Sequence, residues 1–126
     1  MATKVETREP RTDLYERDYH AWTQVQAAAL RRMVRERIET VLDLPHLAEE
    51  VEDLGRSERD AVRSQVRRII EHLLKLEYSD AREARDGWKD TVADARAVLD
   101  DKLSESLRRD LEAVLPRLYA QVLPKV

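Results

Sequence analysis

Asp43, Glu49, Glu50, Glu52 and Asp53 crowd into residues 43–53 with no Lys or Arg between them. Carboxylates at that density are what a divalent cation or a general acid–base pair requires. A cation needs oxygens converging on one point, whereas successive helical side chains diverge by about 100°. Only Glu49 with Glu52 or Asp53, or a pair spanning Glu50, share a face. The chain also lacks the Glu-x-x-His pattern that sets two ligands on one helical face in di-iron bundles. No resident metal or other cofactor is therefore expected.

Beyond Gly55 the charge reverses. Arg56, Arg59, Arg63 and Arg67 recur every three or four residues, and guanidinium groups along one helical face are suited to following a phosphate backbone. Arg31, Arg32 and Arg35 would add to such a nucleic-acid surface. No aromatic interleaving or DNA-binding pattern accompanies them, and a formal net charge of −3 gives no global attraction to polyphosphate. The stronger reading is structural. If the chain folds back at Gly55, then Glu49, Glu50, Glu52 and Asp53 lie against Arg63 and Arg67. Glu50 would pair with Arg63 or Arg67 beside Leu54–Val62 and Val51–Val66 contacts.

Three histidines complete the chemical inventory. His20 shares a face with Glu16, and His72 stands beside Ile69, Ile70 and Leu73, in surroundings that tune a pKa. A metal-dependent hydrolase using the acidic residues with His46 or His72 is the weakest reading. No nucleophile elbow and no glycine-rich phosphate loop is present. The zero cysteine count removes thiolate chemistry and disulfides.

The elements that position these residues follow from periodicity. Thr12 or Asp13 is placed to cap a first helix carrying Tyr15, Tyr19, Trp22, Val25, Ala29 and Met33 on one stripe. Arg35–Leu44 either prolongs it or connects onward. Pro45 suits the first turn of a short second helix with Leu44, Leu47, Val51 and Leu54 inward, and Gly55 its left-handed exit. Ser57 then caps a third helix with Val62, Val66, Ile69, Leu73 and Leu76 along it, widened by Ile70 and Leu74. Asp80 with Glu83 marks the approach to a fourth, bearing Trp88, Val92, Ala95 and Leu99. Ser104 caps a fifth with Leu107, Leu111, Val114 and Leu118, which Pro116 kinks or ends. Trp22 and Trp88 read as core anchors.

The chain of 126 residues is 42% hydrophobic and 39% charged, with two Gly and four Pro. That composition specifies an all-α fold: a compact antiparallel four- to five-helix bundle. Residues 1–11 read as a flexible N-terminal arm and 12–126 as a single helical domain. No apolar run approaches the ~20 residues of a membrane span, and the start lacks the apolar centre of a secretory signal. The expected location is the cytoplasm.

The run His46-Leu47-Ala48-Glu49-Glu50-Val51-Glu52-Asp53-Leu54-Gly55-Arg56-Ser57-Glu58 resembles the signature of a bacterial family known as domain of unknown function 29. The similarity extends to Asp13-Leu14-Tyr15-Glu16-Arg17-Asp18-Tyr19-His20-Ala21-Trp22, to His72-Leu73-Leu74-Lys75 and to the Trp88 segment, over roughly residues 12–110. It departs at Leu76, where Trp is common in that family. The resemblance implies a compact helical domain and brings no reaction or ligand with it. The leading functional expectation is a non-catalytic protein-interaction module with an unidentified protein partner or a second copy of itself. A nucleic-acid accessory protein is the alternative.

Overall fold

Helix-forming residues at a 3.6-residue period produce an all-α protein. The computed structural model describes residues 13–125, and no strand occurs among them. The arm expected over residues 1–11 lies outside the described residues. A helical turn over residues 13–17 precedes α1 (Tyr19–Arg35), α2 (Leu44–Tyr78), α3 (Arg85–Lys102) and α4 (Glu105–Val122), followed by a 3₁₀ turn at Leu123–Lys125.

The largest correction concerns Gly55. The chain does not turn there: α2 runs unbroken for 35 residues, about 50 Å. Gly55 has no positive φ. The inward positions Leu44, Ala48, Val51, Gly55 and Val62 keep one helical phase through it, so packing carries the helix across its weakest residue. Ser57 accordingly lies inside a helix and caps nothing. Pro116 likewise sits inside α4 without ending it. Pro45 stands in the first turn of α2 as expected.

Two compact units divide the described residues. The first comprises residues 13–59 with Ser104–Ser106, so it contains α1 and the acidic part of α2. Asp18 caps α1, while Asp13 lies in the preceding helical turn and Thr12 outside the described residues. The Asp18 carboxylate accepts from the Ala21 N–H (3.1 Å), and from the Ser106 N–H (2.8 Å) and hydroxyl (2.6 Å) at the start of α4. Ser104 precedes α4 as expected, but it is Asp18 that takes the Ser106 N–H.

The buried face of α1 is His20, Thr23 and Ala27. This is rotated from the expected stripe, and Val25 is exposed. The close approach to α2 at Gly55 explains the rotation, because it admits small side chains or polar ones whose hydrogen bonds are met. Tyr15, Tyr19 and Trp22 form a three-ring cluster, with centroids 4.8 to 5.7 Å apart. α1 ends in a Schellman turn: Ile38 N–H bonds Met33 C=O and Arg37 N–H bonds Val34 C=O, with Arg37 left-handed at φ 55°.

The second unit holds the rest of α2, α3 and the remainder of α4. Val62, Ala95, Leu107, Leu118 and Val122 are buried in it. Leu73, expected inside, is half exposed. α3 begins at Arg85 after Ala84, which gives no side-chain cap, so the Asp80–Glu83 pattern does not start it. Arg85 instead donates back to the Leu76 carbonyl near the end of α2 (2.8 Å).

Candidate functional site

The charged stripes of α2 bond mainly to neighbouring helices and meet each other only at their junction, through Asp53 and Arg56. Glu50 and Arg63 lie thirteen residues apart on one helix, about 20 Å, so the expected pairing of Glu50 with Arg63 or Arg67 cannot form. Arg63 instead makes a two-pronged bond to Asp110 of α4, at 2.6 and 2.8 Å, with side chains only 15% and 19% exposed. Arg67 reaches Gln121 weakly at 3.5 Å. Glu52 is gripped by Arg31 of α1 at 2.7 and 3.2 Å, and that hydrogen bond holds its carboxyl below the usual carboxylate range. Asp53 pairs with Arg56 one turn on. Arg59 is half-buried, while Glu49 and Glu50 are exposed.

Each histidine has a hydrogen-bond partner. Buried His20 donates from Nδ1 to the Gly55 carbonyl (3.0 Å), beside Thr23, whose hydroxyl bonds His20 C=O at 2.6 Å. His72 donates to the Arg68 carbonyl of its own helix (2.8 Å). His46 pairs with Asp43 at 2.6 Å; that bond raises the His46 pKa and lowers that of Asp43. The three are not brought together, and among the described residues no group of three or more His, Asp or Glu is placed to hold a metal ion. No helix among the described residues is long and apolar enough to cross a membrane.

The connection between α1 and α2 is more informative. The side chain of Thr40 accepts from Leu42 N–H (3.3 Å), and Asp43 accepts from His46 N–H (3.4 Å) as the cap of α2. These local bonds hold a short loop that turns Leu44 inward and its neighbours outward. Val41 is fully exposed, and Ile38, Leu42, Leu47 and Leu54 are each more than one-third exposed. Leu47 and Leu54 are two turns apart on α2, rotated by about 20° from one another, with Glu50 between them. Sequence periodicity assigned Leu47 and Leu54 to the interior and left residues 35–44 undecided. The available signal was the apolar pair Val41-Leu42 in a stretch with no helical phase to bury it.

An open depression of about 250 Å³ is lined by Lys75, Tyr78, Ser79 and Trp88. Its cation is already balanced: Lys75 Nζ lies 5.8 Å from the Trp88 ring centroid and 3.9 Å from Glu71.

Comparison with known proteins agrees with this architecture. A crystallised alpha-helical protein of unknown function from Rhodospirillum rubrum is 33% identical, with a TM-score of 0.67 over 86% of this chain and 71% of that one. No curated protein matches. The profile of the domain of unknown function DUF29 matches residues 14–126. With nearly the whole described chain inside that match, the protein belongs to the DUF29 family.

Proposed function

We propose that the protein is a non-catalytic protein-interaction module of the cytoplasm, acting through the apolar surface formed by Ile38, Val41, Leu42, Leu47 and Leu54. The observation carrying this reading is the exposure of five large aliphatic side chains within residues 38–54. Isolated apolar side chains are ordinary on a protein surface, but a concentrated group marks a surface that is covered by something else. Each such side chain contributes about 1.5–3 kcal/mol when fully buried. The scattered histidines and the separately paired acids and arginines offer no comparable support for catalysis.

Nucleic-acid contact through Arg56, Arg59, Arg63 and Arg67 has less behind it, since Arg63 is committed to Asp110 and Arg56 to Asp53. Light scattering over a range of concentrations, with affinity capture from the native cell, tests the proposal. The full chain should self-associate or retain a protein, and Val41→Asp/Leu42→Asp should abolish that while leaving the circular dichroism and melting temperature unchanged. A monomer that retains nothing, or a complex indifferent to the substitution, overturns the reading.

A further inference from the structure

We propose that the partner of this surface is a basic amphipathic helix, with an apolar stripe flanked by Lys and Arg. The inference rests on the interaction reading above and adds the chemistry of what is bound. Residues 36–54 contain seven acidic side chains, Glu36, Glu39, Asp43, Glu49, Glu50, Glu52 and Asp53, against one Arg. Asp43, Glu52 and Asp53 are bonded to His46, Arg31 and Arg56. Glu36, Glu39 and Glu50 are exposed in the same stretch as the apolar residues, whereas Glu49, also exposed, lies on the side of α2 that faces Arg31.

Position reinforces composition. Glu50 lies along α2 between Leu47 and Leu54 and about 40–60° round the helix from them, beside the apolar pair. Leu47 and Leu54 are spaced as anchors for a helix whose own apolar residues recur at i, i+3, i+4 and i+7. Exposed apolar side chains interspersed with exposed carboxylates attract a cationic partner and repel polyphosphate or an anionic lipid surface. A two-fold dimer through this stretch would bring its carboxylates against their own copies, which disfavours a second copy as the occupant.

The probe is a fluorescein-labelled Leu/Lys amphipathic peptide of about five turns, titrated into the full chain and followed by anisotropy. Two further peptides are its Leu/Glu counterpart and a Leu/Lys peptide of the same composition in non-amphipathic order. The Leu/Lys helix should bind, and the other two should bind at least about tenfold more weakly, 1.4 kcal/mol. Glu39→Lys/Glu50→Lys should weaken binding about tenfold and flatten its salt dependence. Val41→Asp/Leu42→Asp should weaken it at every salt concentration, with circular dichroism showing both variants folded.

Equal binding of the Leu/Glu or reordered peptide overturns the inference, as does indifference to charge reversal or no binding. Substitution-sensitive capture of a protein in the preceding experiment, alongside any of those results, leaves the interaction reading standing and removes only the basic helix. A dimer abolished by Val41→Asp/Leu42→Asp also overturns it, by putting a second copy in the partner's place.

Discussion

At Gly55, in the first unit, an added methyl group would come within 3.0 Å of Thr23 Oγ1, whereas at Gly87, in the second, nothing lies within 4 Å of where one would sit. Both glycines are helical. Intrinsic propensity treats them alike, each costing up to about 1 kcal/mol relative to Ala. Their surroundings differ. Thr23 is 1% exposed and bonded to the His20 carbonyl, and His20 in turn bonds Gly55 C=O. The absence of a side chain lets α1 and α2 approach closely at one glycine and has no such consequence at the other. A helical glycine therefore has no fixed meaning: the facing helix decides it.

The largest expected effect breaks that approach. Gly55→Ala should lose about 1–3 kcal/mol to overpacking, more than the ~1 kcal/mol gained in propensity. A larger side chain such as Leu should prevent the α1–α2 packing. The obstacle is one hydroxyl, since Thr23 Cβ lies at an ordinary 3.4 Å. On a Thr23→Ala background, Gly55→Ala should be tolerated, giving a favourable coupling above about 0.5 kcal/mol in urea unfolding. Additive losses would mean that the Thr23 hydroxyl is not what excludes a side chain at position 55.

An effect of comparable size belongs to Asp18, the other polar group on which the first unit depends. Burial raises its pKa, but the hydrogen bonds from Ser106 and Ala21 outweigh burial and leave it lowered. A depressed carboxylate contributes stability that is fully present above its unfolded pKa, about 3.9, and is lost as pH falls through the lowered folded value. Asp18→Ala, which removes a helix cap and leaves the Ser106 donors without their acceptor, should cost about 1–2 kcal/mol at neutral pH. The gap between the two proteins should close as the medium is acidified below pH ~4. A gap that stays constant in acid would show that the carboxylate's charge is not involved.

Much of the helical architecture is legible in the residues. Apolar spacing identifies the long helices and places Val62, Ala95, Leu107 and Leu118 inside, and Pro45 fits its first-turn position. Gly55 is harder to read because glycine marks helix exits and close approaches equally. The distinguishing sign is phase: a true exit would reset the apolar register, yet Leu44, Ala48, Val51, Gly55 and Val62 continue it. Asp110, the partner of Arg63, stands 47 residues away and carries no local mark of that role. Asp18 competes with Thr12 and Asp13 as a cap, and only its contact with Ser106 singles it out. The exposed group at residues 38–54 was obscured for a related reason: amphipathic spacing tells which residues share a face, not whether that face is covered.

The smallest effect is the one that sharpens the contrast between the glycines. Gly87 is the third residue of α3, exposed, with its carbonyl accepting from Thr91 Oγ1 at 3.0 Å. A methyl group added there meets open space and leaves that bond intact. Gly87→Ala should therefore stabilise by about 0.5–1 kcal/mol through reduced backbone freedom in the unfolded chain. The urea midpoint should rise with an unchanged slope, which would assign the gain to stability and not to altered compactness. Opposite signs for Gly55→Ala and Gly87→Ala in one host, under one denaturant, would separate packing from propensity without any comparison between proteins. Loss at both positions would mean that Gly87 also has a close neighbour, and gain at both would mean that α1 and α2 can part enough to admit a methyl group.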